Sequence, residues 1–150
     1  MILPSFTDVV KAHELISPHI HHTPVLTSIS INKIIGAEIF FKCENFQKTG
    51  AFKFRGATNA VLSLKEDEAK KGVGTHSSGN HAAALTYAAS LRGISAQIVM
   101  PYTAPEIKKK AVRGYGGEIT FCEPTLQSRE STMQTIIFKE AKTAKFVLEA

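Results

Sequence analysis

The chain has 150 residues, 43% of them apolar and 21% charged, which is enough for one hydrophobic core or two small ones and too apolar for disorder. Its net charge is +5, yet no window approaches the roughly 18 apolar residues of a membrane span, so no membrane partner is expected. Met1-Ile2-Leu3-Pro4-Ser5-Phe6 lacks the basic and apolar regions of a signal peptide, and Cys43 and Cys122 belong to no zinc or disulfide pattern; a soluble, cytoplasmic α/β protein is expected.

Taken in chain order, Asp8 to Ile16 reads as a helix that Ser17-Pro18 ends. Thr23-Pro24-Val25-Leu26 is extended, because a residue before proline avoids the α region. Ser28 or Ser30 caps a short helix ending at Gly36. Ala37 to Lys42 reads as a strand and Asn45 to Gly50 as a polar loop. Thr49 is then the N-cap of a helix in which Ala57, Ala60, Val61 and Leu64 follow i, i+3, i+4, i+7 spacing. From Gly72 onward strand and helix alternate. Strands are expected over Val73–His76, Ala96–Met100, Glu118–Phe121 and Phe146–Leu148, with helices from about Asn80 to Arg92, Pro105 to Tyr115 and Ser128 to Thr143. Such alternation implies a parallel sheet with right-handed crossovers, whose ligands sit beyond the carboxyl ends of the strands. The loops after His76, Met100 and Phe121 are therefore the candidate site. The charged run Lys65 to Gly72 marks the best boundary, dividing the chain into 1–67 and 68–150.

The densest basic run is Lys108-Lys109-Lys110 with Arg113. Ile107, Ala111 and Tyr115 recur at helical spacing, so the lysines are expected on the solvated face of an amphipathic helix. No aromatic residues interleave with them to stack bases, and no nucleic-acid partner is expected. Phosphate-cradle, dinucleotide and nucleophile-elbow signatures are absent. Ser30-Ile31-Asn32-Lys33, Lys48-Thr49-Gly50 and Ser78-Gly79-Asn80 imitate elements of penicillin-recognising serine hydrolases, but in the wrong order. His19, His21 and His22 have no carboxylate or cysteine at ligand spacing, so they read as a solvent-facing loop and no metal site is expected among them.

Two clusters carry more chemistry. Thr75-His76-Ser77-Ser78-Gly79-Asn80-His81 follows a strand and opens an alanine-rich helix, whose first N–H groups and dipole favour an anion. An ordinary serine N-cap would need one residue; the clustering of short polar side chains with a glycine favours a small-anion or carboxylate site. In the second cluster, Lys53 sits between Phe52 and Phe54 in the first turns of a helix. An amine beside apolar groups at the positive end of a helix suits a Schiff-base lysine, but taken alone this pattern reads better as a plain helix-surface lysine.

Glu44 through Ala57 resembles the pyridoxal-phosphate attachment motif of the serine racemase and serine/threonine dehydratase family: an acidic residue, four residues, a small residue, any residue, Ser or Ala, an aromatic, Lys, then Arg-Gly. Ala51 stands where many members carry serine. Ser77-Ser78-Gly79-Asn80-His81 is similar to the family's substrate-carboxylate loop, and Thr23-Pro24-Val25-Leu26 to its N-terminal signature. The resemblance runs from about Ser5 to the last residue.

It implies a tryptophan-synthase-β-like α/β fold (fold type II): the incomplete first part of a large domain over 1–67 and a parallel-sheet, Rossmann-like small domain over 68–150. It implies pyridoxal 5'-phosphate bound through Lys53, which also acts as the base on one face of the substrate. Asn80 would hydrogen-bond the cofactor's ring oxygen, and Phe52 would pack against the ring. Ser77, Asn80 and His81 would hold the substrate carboxylate, and Arg129 falls where serine racemases place an arginine that reaches the substrate on closure. Ser78 discriminates within the family: dehydratases typically read Ser-Ala-Gly-Asn-His, racemases Ser-Ser-Gly-Asn-His, and a hydroxyl opposite the lysine supplies the second proton-transfer group. The implied function is serine racemisation with L-serine and L-threonine dehydration. A catabolic dehydratase without racemase activity is the alternative. Lys48, Thr49 and Tyr115 match a nucleotide-binding loop, while Ala83 departs from the glutamine of mammalian-type enzymes. The family's Gly-rich phosphate loop, the carboxylate ligands of its Mg2+ and the group facing the pyridine nitrogen are not in this sequence. Activity is then expected of a longer, homodimeric polypeptide, with Ile39, Phe41, Ala57, Val61 and Leu64 lacking partners here. A short, inactive protein binding ligands or a full-length relative is the competing expectation.

Overall fold

The computed structural model describes residues 3–142 and 148–149. α1 (Phe6–Ile16) opens on a capping box in which the Asp8 carboxylate accepts from Ser5 N at 2.8 Å. A 3-10 turn, Ser17–His19, then leads to β1 (Val25–Leu26), which pairs antiparallel with β2 (Phe41–Lys42). Between them α2 (Ile29–Ile35) runs from its Ser28 cap to Gly36. The strand expected over Ala37 to Lys42 shortens to its last two residues. Ile39 N donates to Asn32 Oδ1 at 3.1 Å, so this segment is tied to α2 rather than to a neighbouring strand.

The loop expected over Asn45 to Gly50 folds into two 3-10 turns, Glu44–Phe46 and Lys48–Gly50, ahead of α3 (Lys53–Leu62). Thr49 is not the N-cap. Its φ of 62° and the 71° of Gly50 reverse the chain, Ala51 is extended, and the helix begins afterwards without a side-chain cap. The buried stripe of α3 is Phe54, Ala57, Thr58 and Val61, one turn earlier than expected, and Ala60 faces solvent. Phe54 sets that register: it is fully buried, with its ring centroid 5.0 Å from that of Tyr87.

After α4 (Glu66–Ala69), the strand–helix alternation runs β3 (Val73–Thr75), α5 (Asn80–Arg92), β4 (Ala96–Pro101), α6 (Glu106–Gly114), β5 (Glu118–Cys122), α7 (Leu126–Lys142) and β6 (Leu148–Glu149). The four strands form a parallel sheet in the order β5-β4-β3-β6. Thr143, Phe146 and Val147, expected in the last helix and strand, lie outside the described residues.

One hydrophobic cluster joins Ile16, Phe54, Ala57 and Val61 to Val73, Leu85, Ala88, Ile98 and Val112. Ala57 and Val61, expected to lack partners, are 3% and 1% exposed, because the alanine face of α5 lets α3 approach closely. Leu64 packs against the same cluster, whereas Phe41 is exposed and Ile39 half-buried.

The face assignment on α6 is also corrected. Ile107 is exposed and Val112 carries the burial, while the Lys109 side chain is largely covered. Lys109 Nζ lies 5.4 Å from the Phe121 ring centroid and donates to Tyr102 O at 2.8 Å. A long lysine stem can cover apolar surface while its ammonium stays hydrogen-bonded, and that tips the helix away from the register its Ile and Ala residues suggest.

The N-terminal region is fastened by ions and amides. Arg55 forks onto Glu44 (Nε to Oε2 2.8 Å, a terminal nitrogen to Oε1 2.7 Å), Thr23 Oγ1 donates to Glu44 Oε1 at 2.5 Å, and Lys42 Nζ donates to Thr23 O at 2.7 Å. The Arg55 hydrogen bonds first, then those of Thr23 and the nearby cations, hold the Glu44 carboxyl down at about 2 against partial burial. Gln47, itself buried, grips His21 from both sides: His21 N donates to Gln47 Oε1 and Gln47 Nε2 to His21 O, each at 2.9 Å.

Two stability predictions follow from this packing. A Cβ on Gly117 would lie 2.7 Å from Thr86 Cγ2 and 2.8 Å from a Val112 methyl, so Gly117→Ala should destabilise by about 1–3 kcal/mol in urea unfolding. The lowered carboxyl of Glu44 stabilises the fold above the unfolded value near 4.5, and this contribution is lost as pH falls toward about 2. Discounted for partial exposure it amounts to about 2 kcal/mol. Unfolding measured from pH 6 down to about pH 2 should show that loss in the parent and a flatter profile in Glu44→Gln.

Candidate functional site

A parallel sheet sends the carboxyl ends of its strands to one edge, so the segments after β3, β4 and β5 meet there. The segment after β3 carries His76, Ser77, Ser78 and Gly79 into the N-terminus of α5. Gly79 is the N-cap, so neither serine occupies the cap position. Gly79 N donates to Ser77 Oγ over a long 3.4 Å. Ser77, Ser78 and His81 are half-buried, and Asn80 is exposed. What results is a helix N-terminus with serine hydroxyls beside it, a setting whose dipole and N–H groups favour an anion.

Above this edge, the segment after β4 starts α6. Lys108, in the first turns of α6, donates to Asn80 Oδ1 at 2.6 Å. The segment after β5 starts α7, where Arg129 is half-buried and its Nε lies 3.4 Å from Thr125 O. Cys122 ends β5 and is buried; burial pushes its thiol up.

Lys53 is the first residue of α3 and is exposed, with Nζ 5.4 Å from the Phe52 ring centroid. It lines a cleft of about 200 Å³ with Phe52, Gly56, Ala57 and His81. The two sequence clusters, separate along the chain, therefore face a common space. Nothing would touch a Cβ at Gly56 within 4 Å, so the floor of the cleft is open. An amine, an aromatic ring, an open floor and an adjoining helix N-terminus fit an aldehyde-bearing aromatic ring with anionic substituents. The volume is below the roughly 300–1,000 Å³ typical of complete ligand sites.

Lys48, Thr49 and Tyr115 gather elsewhere. The Tyr87 and Tyr115 rings stack at 4.8 Å and 6°, and Lys48 Nζ lies 5.7 Å from the Tyr87 centroid and 6.0 Å from that of Phe54. Thr49 Oγ1 is buried without a hydrogen-bond partner. Tyr87 was not singled out in the sequence, although its position seven residues past Asn80 places it on the α5 face toward α3. Nor was Lys108, which sequence pattern assigned to solvent. Among the described residues, no group of three or more His, Cys, Asp and Glu side chains is placed to hold a metal ion. No helix among them is long and apolar enough to cross a membrane. His21 is held in its loop with Nδ1 3.0 Å from Phe46 O.

The chain is 58% identical over 136 residues to a β-hydroxyaspartate dehydratase of Paracoccus denitrificans, covering 91% of this chain and 43% of the relative. It is 57% identical over 136 residues to the serine racemase of Mus musculus, covering 89% and 40%. The solved structure of maize serine racemase superposes with a TM-score of 0.91 at 42% identity, covering 99% of this chain and 44% of that one. The chain thus spans about two fifths of the length of the relatives it matches. Its fold is the corresponding part of a fold-type II enzyme. The family model for pyridoxal-phosphate dependent enzymes matches residues 16–147, and this chain belongs to that family.

Proposed function

We propose that this chain supplies the cofactor lysine and the substrate-carboxylate loop of a serine racemase that also dehydrates L-serine and L-threonine. The observation that carries the reading is the cleft in which Lys53 and Phe52 face His81 at the start of α5. Lys53 holds the cofactor through its amine and removes the α-proton from one face of the substrate. Bound there, pyridoxal phosphate supplies the electron sink that stabilises charge at the substrate α-carbon. Asn80 hydrogen-bonds the ring oxygen, and Phe52 covers the ring. The N-terminus of α5, with Ser77, Asn80 and His81, holds the carboxylate; Arg129 adds a cation when the sheet edge closes on the substrate.

Ser78 is the residue on which the choice of reaction turns. Its hydroxyl delivers or removes a proton on the face opposite Lys53, which racemisation requires and elimination does not. The 58% identity with a β-hydroxyaspartate dehydratase favours a second reading, a dehydratase that eliminates the β-hydroxyl of a hydroxy amino acid without racemising it. Both readings share the lysine, the carboxylate loop and a β-hydroxy substrate.

Several finer assignments belong to the same proposal. Residues 1–67 form the first part of a large domain and 68–150 a small domain, although their apolar residues share one core. Segments beyond this chain hold the cofactor phosphate and a Mg2+ ion, and the whole enzyme is a cytoplasmic homodimer. Lys48, Thr49 and Tyr115 form a nucleotide site; the unpaired Thr49 hydroxyl and the Tyr87–Tyr115 stack support it. Ala83 is buried and offers no polar contact there.

Borohydride reduction of the cofactor-loaded enzyme should label Lys53, read by peptide mass; label on another lysine would sink the assignment. Ser78→Ala, assayed with L-serine for D-serine and for pyruvate, should lose about 10²–10⁴-fold of racemisation and far less of elimination. Equal losses, or a parent enzyme that makes pyruvate and no D-serine, would favour the dehydratase reading.

A further inference from the structure

The contact between Lys108 and Asn80 joins two elements that the sequence does not relate. Lys108 lies in the first turns of α6, after β4; Asn80 is the first residue of α5, after β3. The 2.6 Å bond from Lys108 Nζ to Asn80 Oδ1 spans that gap. A lysine ammonium has three donors and no acceptor, so the atom it faces on a carboxamide must be the oxygen. That removes the two-fold ambiguity of the amide and turns Nδ2, with both its hydrogens, away from Lys108. Polarisation of the carbonyl by a cation also strengthens the amide N–H groups as donors. Two other members of the basic run are engaged elsewhere: Lys109 donates to Tyr102 O and pairs with Glu106, and Arg113 pairs with Glu106 over the Phe121 ring.

From this geometry we infer that Lys108 is a positioning residue, which holds the Asn80 carboxamide so that Nδ2 is presented as a donor to the cofactor's ring oxygen. The inference rests on the assignment of Asn80 to that oxygen made above. In the apo chain the contact is exposed and worth little. A cofactor bound against Asn80 excludes water from that contact, and the hydrogen bond then acts in a medium of lower dielectric. Lys108 does not touch the reacting atoms; its effect passes through Asn80.

The test is a set of variants of the cofactor-loaded enzyme: Lys108→Met, Lys108→Arg, Asn80→Ala and the Lys108→Met/Asn80→Ala pair. The readouts are the cofactor dissociation constant, the intensity of the bound cofactor's visible circular dichroism band and the thermal midpoint. Lys108→Met should weaken cofactor binding by about three- to tenfold and reduce the dichroism, with the midpoint of the cofactor-free protein unchanged. Lys108→Arg should restore most of both, and the double variant should bind no worse than Asn80→Ala alone. If Asn80→Ala weakens binding and Lys108→Met does not, the positioning role is overturned while the site assignment stands. If neither changes binding, both fall. A loss in Lys108→Met that tracks a lowered thermal midpoint, or that adds in full to that of Asn80→Ala, also overturns the inference.

Discussion

The packing of α3 on α5 is the constraint from which the site derives. These two helices make the most extensive contact of any pair of elements among the described residues. Phe54, Ala57 and Val61 on one side meet the alanines and Leu85 on the other, all within one cluster. Small residues along α5 let the helices approach, and close approach is what turns apolar area into a fixed geometry rather than a loose one. Arg92, in the last turn of α5, adds a polar fastening: it donates to Val61 O at 2.6 Å and to Glu66 Oε1 at 2.7 Å. The carbonyl it reaches is near the C-terminus of α3, where a cation is favoured.

Because that packing is close, the start of α3 and the start of α5 share a cleft, and the lysine lies at one end of it. Lys53 owes its place to the unusual turn before it. Thr49 and Gly50 with positive φ, followed by extended Ala51, deliver the chain to α3 without a capping side chain. Gln47 ties that turn to the His21 loop, and the Glu44–Arg55 fork ties it to α3. A bidentate guanidinium–carboxylate pair with further donors is more rigid than a single hydrogen bond, and it anchors the segment leading to Lys53 from outside the cleft. At the other wall, the N-cap of α5 is Gly79, which brings no side chain of its own to the helix start. A glycine there keeps that end sterically open to a ligand at the cost of some helix stability.

Much of this was readable along the chain. The extents of α5, its left-handed Gly93 terminus and the strand–helix alternation came from local signals: glycine tolerance of positive φ, alanine content and apolar runs. The two site motifs were legible as residue clusters with a chemical rationale. The errors share a cause. Thr49 as a cap, the α3 stripe starting at Ala57, the long strand from Ala37 and the apolar face of α6 through Ile107 are all one-dimensional patterns, each overruled by backbone geometry or a side-chain contact that the pattern does not encode. Thr49 turns to positive φ, Asn32 captures Ile39 N, Phe54 packs on Tyr87, and Lys109 lies over Phe121.

What the sequence by itself determined is the list of parts: a lysine between aromatics, a Ser-Ser-Gly-Asn-His run at a helix start, and a parallel α/β order that sends helix starts to one edge. These follow from properties a residue carries with it, namely backbone freedom, hydrogen-bonding groups and periodic burial. Only the tertiary structure decided which parts meet. That His81 shares a cleft with Lys53, that Lys108 points at Asn80 instead of water, and that Glu44 closes on Arg55 all depend on the depth and register of helix contacts. Those registers are set by volume matching between side chains far apart in the chain, and no local period encodes it.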